Sequence, residues 1–219
     1  MNNPLRNLLL AKREAGEKIL SVYLTAGFPT QQDTLPLLKA IAEGGADLIE
    51  LGVPFSDPQA DGPTIQAASQ KALENGTTLK RALEIARAFT EENDTPIILM
   101  GYANPFYQHG WPKLAQDAAE ASVSGYIIPD LPPEEASVAR KEFDATDQSL
   151  IYLVSPNTVD DRISEIDAAT SGFIYAVSLT GVTGARQALP DSTTAFLKAV
   201  RDRVSHPVLV GFGVANAET

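Results

Sequence analysis

Residues 47–66 read DLIELGVPFSDPQADGPTIQ. The stretch starts as an apolar run, Leu48-Ile49-Glu50-Leu51-Gly52-Val53, and turns into a loop rich in proline and glycine. A run of this kind reads as a strand buried on both faces, the usual state of a parallel sheet inside an α/β fold. A carboxylate within it is costly unless it is paired or used. Glu50 is therefore the residue to explain, together with Asp57 and Asp61 in the loop that follows.

Outward from this stretch the same grammar repeats. Apolar runs ending in Gly, Pro, Asp or Asn occur at residues 19–27, 47–55, 96–105, 125–132, 149–156, 172–181 and 207–214. Helical patterns lie between them, at 33–45, 78–89, 111–122, 134–143, 159–169 and 192–203, and an amphipathic helix is expected over 1–18. Leu35, Leu38 and Ala42 share one helix face; Leu79, Leu83, Ala86 and Phe89 share another. Asp33, Thr78 and Asp191 or Ser192 are candidate caps. No linker or low-complexity tract interrupts the βα series, so residues 1–219 read as one domain.

Two architectures suit seven βα steps. One is a doubly wound open sheet. The other is a (β/α)8 TIM barrel, which needs eight steps and about 250 residues. No Gly-rich dinucleotide fingerprint follows the first strand, and polar and glycine residues collect after nearly every strand, as barrel active-site loops require. The expectation is a barrel lacking its eighth βα unit.

Composition excludes several functions. The 219 residues carry a formal net charge of -11 with a pI near 4.6, which disfavours nucleic acid as a partner. There is no cysteine, hence no disulfide or thiolate chemistry. No apolar run reaches the roughly 18–20 residues of a membrane span. The start of the chain lacks the order of a signal peptide, so a cytoplasmic location is expected. His109 and His206 are isolated, which offers no His-rich metal site, and no lysine falls late in a strand where a Schiff base would form.

What remains is carboxylate chemistry. Glu50, late in the second strand, can face the barrel mouth from the wall, and Asp61 can return over it from the loop. Apolar surroundings raise a carboxyl pKa toward the range useful for proton transfer. The bland alternative for Glu50 is a carboxylate satisfied by backbone donors or a lysine. Asp57 reads as a turn residue first. Glycines after the late strands, Gly184 in LTGVTGAR and Gly213 in GFGVANAE, suit a phosphate held by backbone amides.

IELGVPFSDPQADGPTIQ, GVTGAR and GFGV, in this order and on these strands, resemble the alpha chain of tryptophan synthase, and the likeness runs from YLTAGFP to the end of the chain. The resemblance implies a retro-aldol cleavage of indole-3-glycerol phosphate to indole and glyceraldehyde 3-phosphate. Glu50 would protonate the indole C3 and accept the hydroxyl proton; Asp61 would hold the indole N–H. Tyr175 would line the site near Glu50, and Tyr23, Met100, Tyr102 and Phe212 the indole or the mouth. Thr25 would stand behind them. Thr183 would order Asp61, and Gly184 and Gly213 would bind phosphate. No cofactor is implied in this chain. Asn104, Pro105 and Asp130 would face a beta chain carrying pyridoxal phosphate, in an alpha-beta-beta-alpha tetramer. The family's eighth strand ends in a Gly-Ser pair that completes the phosphate site, and this sequence has no counterpart. A chain truly lacking that unit would bind phosphate weakly and associate through its open strand edges.

Overall fold

The computed structural model describes residues 3–177 and 191–211. Among them, helix α1 (Pro4–Ala15) precedes strand β1 (Ser21–Thr25). There follow α2 (Gln31–Glu43), β2 (Leu48–Gly52), α3 (Pro63–Glu74), α4 (Leu79–Thr90), β3 (Ile97–Met100), α5 (Ala103–His109) and α6 (Trp111–Glu120). The series continues with β4 (Gly125–Ile127), α7 (Ser137–Ala145), β5 (Ser149–Val154), α8 (Asp160–Ala169), β6 (Ile174–Val177), α9 (Asp191–Arg203) and β7 (Val208–Gly211).

All pairings are parallel and the strand order is β1-β2-β3-β4-β5-β6-β7. A doubly wound sheet reverses its order at a switch point; this one never does. The arrangement is that of the (β/α)8 barrel, with seven strands among the described residues and no pairing there between β7 and β1.

Alternation along each strand splits the apolar residues into two clusters. The outward set, which includes Ile49, Leu51, Ile97, Leu99, Tyr126 and Ile174, packs under the helices with Leu38, Phe89, Phe106 and Phe143. The inward set fills the lumen: Leu48, Ile98, Met100, Ile127, Ile151, Phe173, Tyr175 and Leu209. Glu50 has the inward parity of Leu48, so the strand places its one charged group in the lumen.

Helix α1 closes the lumen at the N-terminal ends of the strands. Leu5 and Leu9 are buried in the lumen cluster. Asn3 joins this plug to the wall. Its Oδ1 accepts the N–H groups of Leu5 and Arg6 at 3.0 and 3.3 Å, the cap that starts the helix. Its Nδ2 donates to the carbonyls of Ser124 and Asp147 at 3.0 and 2.6 Å. At the same end Lys12 pairs with Asp47 at 2.9 Å, tying α1 to the start of β2.

The structure corrects the sequence reading in places. Steps two and three carry two helices each, because α3 and α5 occupy ground read as loop or strand end. Thr30 caps α2, while Asp33 sits in its first turn, its N–H bonded to the Thr30 hydroxyl. Thr78 caps α4 as expected. Helix α7 starts at Ser137, not 134, and β4 ends at Ile127, five residues early. Asp191 opens α9.

Asn3→Ala removes the cap and the side-chain donor to the Asp147 and Ser124 carbonyls, of which Ser124 keeps the Ser149 N–H at 2.9 Å. A loss of about 2–3 kcal/mol is expected, read as a lower urea midpoint. An unchanged midpoint would mean that the plug does not hold the barrel floor.

Candidate active site

Four carboxylates lie on β2 or close to it in sequence, and depth and partners separate them. Asp47 stands at the floor end. Partial burial works against its charge, but the Leu20 N–H at 2.9 Å and Lys12 outweigh it and hold its carboxyl below the usual range. Asp57 is exposed and accepts the hydroxyl of its neighbour Ser56, as a turn residue would. Glu50 and Asp61 behave in the opposite way.

Glu50 is 4% exposed. Desolvation raises its carboxyl above the ordinary 4.5, partly offset by hydrogen bonds from Ser21 and Tyr175. The Ser21 hydroxyl donates to Oε1 at 2.5 Å and the Tyr175 hydroxyl to Oε2 at 3.4 Å. The bland alternative, satisfaction by a lysine or by backbone donors, does not hold: both partners are side-chain hydroxyls from neighbouring walls.

Asp61 lies in the loop between β2 and α3. Burial raises its carboxyl too, and a hydrogen bond from Tyr102 opposes the rise. The Tyr102 hydroxyl donates to Oδ2 of Asp61 at 3.0 Å and accepts the Ala60 N–H at 2.9 Å. One phenol thus fixes both the acid and its backbone. Tyr102 is itself stacked on Phe55, with ring centroids 5.4 Å apart. Loop Asp61 is in this way fastened to the residue that caps α5, just past β3.

Tyr23 stands beside Glu50 in register, and Tyr175 approaches from β6. Burial pushes both phenols far above their ordinary range, and the charges of Glu50 and Asp61 add to this. They act here as neutral hydrogen-bonding groups. Thr25, buried at the end of β1, donates to the Tyr23 oxygen at 3.3 Å. Met100 lines the same lumen, nearly buried.

Space for the two phenols comes from missing side chains. A Cβ on Gly52 would stand 2.1 Å from the Tyr23 hydroxyl, and one on Gly211 would stand 2.2 Å from that of Tyr175. Both positions end strands at the mouth, so glycine there is a steric requirement rather than a turn signal.

Of the residues expected from sequence, the structure brings Glu50, Asp61, Tyr23, Met100, Tyr102 and Tyr175 to one end of the barrel. Thr183, Gly184, Phe212 and Gly213 lie outside the described residues. Sequence reasoning missed Ser21. The signal for it was parity, since Ser21 stands two residues before Tyr23 and so shares its face. Among the described residues no group of three His, Cys, Asp or Glu is placed to hold a metal ion, and no helix is long and apolar enough to cross a membrane.

Comparison with known proteins places this geometry. Residues 9–219 match the family model described as tryptophan synthase alpha chain. A relative of that name from Roseiflexus sp. (strain RS-1) is 50% identical over 206 residues, 94% of this chain and 79% of the relative. The crystal structure of tryptophan synthase subunit alpha from Legionella pneumophila str. Paris superposes with a TM-score of 0.89 at 37% identity, over 98% of this chain and 79% of that one. A chain from the tryptophan synthase α2β2 complex of Pyrococcus furiosus gives 0.86 at 42% identity, over 91% and 80%. The lumen carboxylate, its hydroxyl partners and the loop aspartate are thus carried by a member of the tryptophan synthase alpha chain family, lyases of tryptophan biosynthesis.

Proposed function

We propose that the chain cleaves indole-3-glycerol phosphate to indole and glyceraldehyde 3-phosphate, with Glu50 and Asp61 as its catalytic pair. The observation that carries this reading is the state of the two carboxyls. Each is desolvated, each has its proton affinity raised, and each is held by hydroxyl donors instead of a cation.

The carbon–carbon bond breaks only when the indole ring can take its electrons. Protonated Glu50 donates to C3 of the ring, which leaves the ring nitrogen cationic. Asp61, accepting the N–H, stabilises that charge. Glu50, now ionised, takes the proton from the side-chain hydroxyl. The oxygen's electrons form the carbonyl of glyceraldehyde 3-phosphate, the C–C bond breaks, and its electrons return to the ring as indole. Glu50 ends as it began, protonated. A carboxyl of raised pKa suits both halves of this cycle.

The two acids need different freedoms. Glu50 stands on a strand, where its position is set by the barrel wall. Asp61 stands on a loop whose hold is one phenol, so it can adjust to the ring. Tyr23, Tyr175 and Met100 form the apolar wall for indole, and Phe212 is assigned there as well. Thr183 is assigned to ordering Asp61, and the backbone amides of Gly184 and Gly213 to the phosphate.

The loops after β3 and β4 are proposed to face a beta chain. Asp130 accepts the Ala103 N–H at 2.8 Å, which links the two loops at the start of α5, and Asn104 is exposed beside it. The α2β2 complex of the Pyrococcus relative supports an αββα assembly. In it the beta chain would carry pyridoxal phosphate, and this chain would need no cofactor of its own. A cytoplasmic site of action is part of the same reading.

Indole release from indole-3-glycerol phosphate tests the assignment. Glu50→Gln is expected to lose about 10²–10⁴-fold in kcat, and Asp61→Asn about 10²–10³-fold, with circular dichroism unchanged. Full activity in either variant would remove that residue from the pair.

Stability gives a second check. Folding raises the proton affinity of Glu50, so its favourable contribution is complete below about pH 4.5 and is lost as pH climbs through the folded pKa. Glutamine does not titrate. The Tm of Glu50→Gln relative to the parent is expected to rise over that window and level off above it. A difference independent of pH would show that Glu50 is not desolvated.

A further inference from the structure

We propose that Ser21 is a positioning residue for Glu50, holding one carboxylate oxygen against the barrel wall so that the other meets the substrate. The inference rests on the catalytic role proposed above for Glu50.

The two oxygens of Glu50 are held unequally. Oε1 lies 2.5 Å from the Ser21 hydroxyl, within the range of a charge-assisted O–H···O⁻ bond. Oε2 lies 3.4 Å from the Tyr175 hydroxyl, a weak contact. The register explains the difference. Ser21 pairs with Leu48 and Tyr23 with Glu50, so Ser21 stands one inward layer below Glu50, toward the floor. The short bond draws Oε1 down and away from the mouth. Oε2 is left as the oxygen available for proton transfer, with Tyr175 beside it.

The bond also sets proton affinity. A hydroxyl donating to a carboxylate favours the anion, and here it works against the desolvation that favours the acid. The titratable groups facing Glu50 are Tyr23 from β1, Tyr175 from β6 and Asp61 from the loop after β2. The two tyrosines stay neutral far above neutral pH, and the charge of Asp61 bears on those phenols. Ser21 is therefore the strongest local brake on the rise of the Glu50 pKa.

Ser21→Ala deletes one oxygen from a half-buried strand position. The limb of the kcat/KM pH profile that reports Glu50 is expected to move up by about one pH unit. Ser21→Thr keeps the hydroxyl and is expected to bring it back. Isotope-edited infrared spectra of the Glu50 carboxyl, identified by difference against Glu50→Gln, give the same midpoint without turnover. A midpoint unmoved in Ser21→Ala, while Glu50→Gln abolishes activity, overturns the role of Ser21 and leaves that of Glu50 intact. Activity retained by Glu50→Gln removes both.

Discussion

Glu50 is a carboxyl enclosed in an apolar lumen, with the Ser21 hydroxyl on one oxygen, the Tyr175 hydroxyl on the other and, among the described residues, no cation bonded to it. Such a group is tolerated only if the wall around it is rigid and its partners come from that wall. The rest of the architecture meets this condition. Parallel strands in sequential order bring Ser21, Glu50 and Tyr175 together from β1, β2 and β6. Helix α1 seals the floor with Leu5 and Leu9, which keeps water from reaching the carboxyl from below. Glycines at 52 and 211 leave room for the phenols that flank it.

The same reasoning separates the neighbouring acids. Asp47, three residues earlier, has a lysine and a backbone amide, and serves to fasten α1 to the sheet. Asp61 hangs from a loop, tied to Tyr102 just past β3. Within fifteen residues, the chain places a structural ion pair, a buried acid and an adjustable acid. Their roles follow from depth and partners, since the residue types are nearly identical.

Much of this was legible before the structure. The runs of Val, Ile and Leu marked the seven strands found among the described residues, and the missing dinucleotide fingerprint pointed away from a doubly wound sheet. Glu50 stood out because a charge in an apolar run needs a reason, and Asp61 because its loop can return over the mouth. Other features were hidden for physical reasons. Helix α3 buries only Ala68, Ser69 and Ala72, residues too small to give an apolar period. Helix α5 has seven residues and includes Asn104-Pro105, which read as the end of the third strand. Thr30 and Asp33 each bond the other across the start of α2, so sequence alone did not settle which is the cap. The bond from Tyr102 to Asp61 spans 41 residues, and only the closure of the sheet reveals it. Ser21 had the right parity, but parity does not report depth.

The proposed cleavage makes one chemical demand: a carboxyl that can be both acid and base. Desolvation supplies the acid and the hydroxyl donors keep the base within reach. The most direct measurement is the ionisation of Glu50 itself, by ¹³C NMR of its side-chain carboxyl in the folded chain across pH, assigned by its absence in Glu50→Gln. A midpoint clearly above the ordinary 4.5 of a glutamate is the predicted result. A midpoint at or below that value would contradict the account, because Glu50 would then be a plain buried anion with no proton to give.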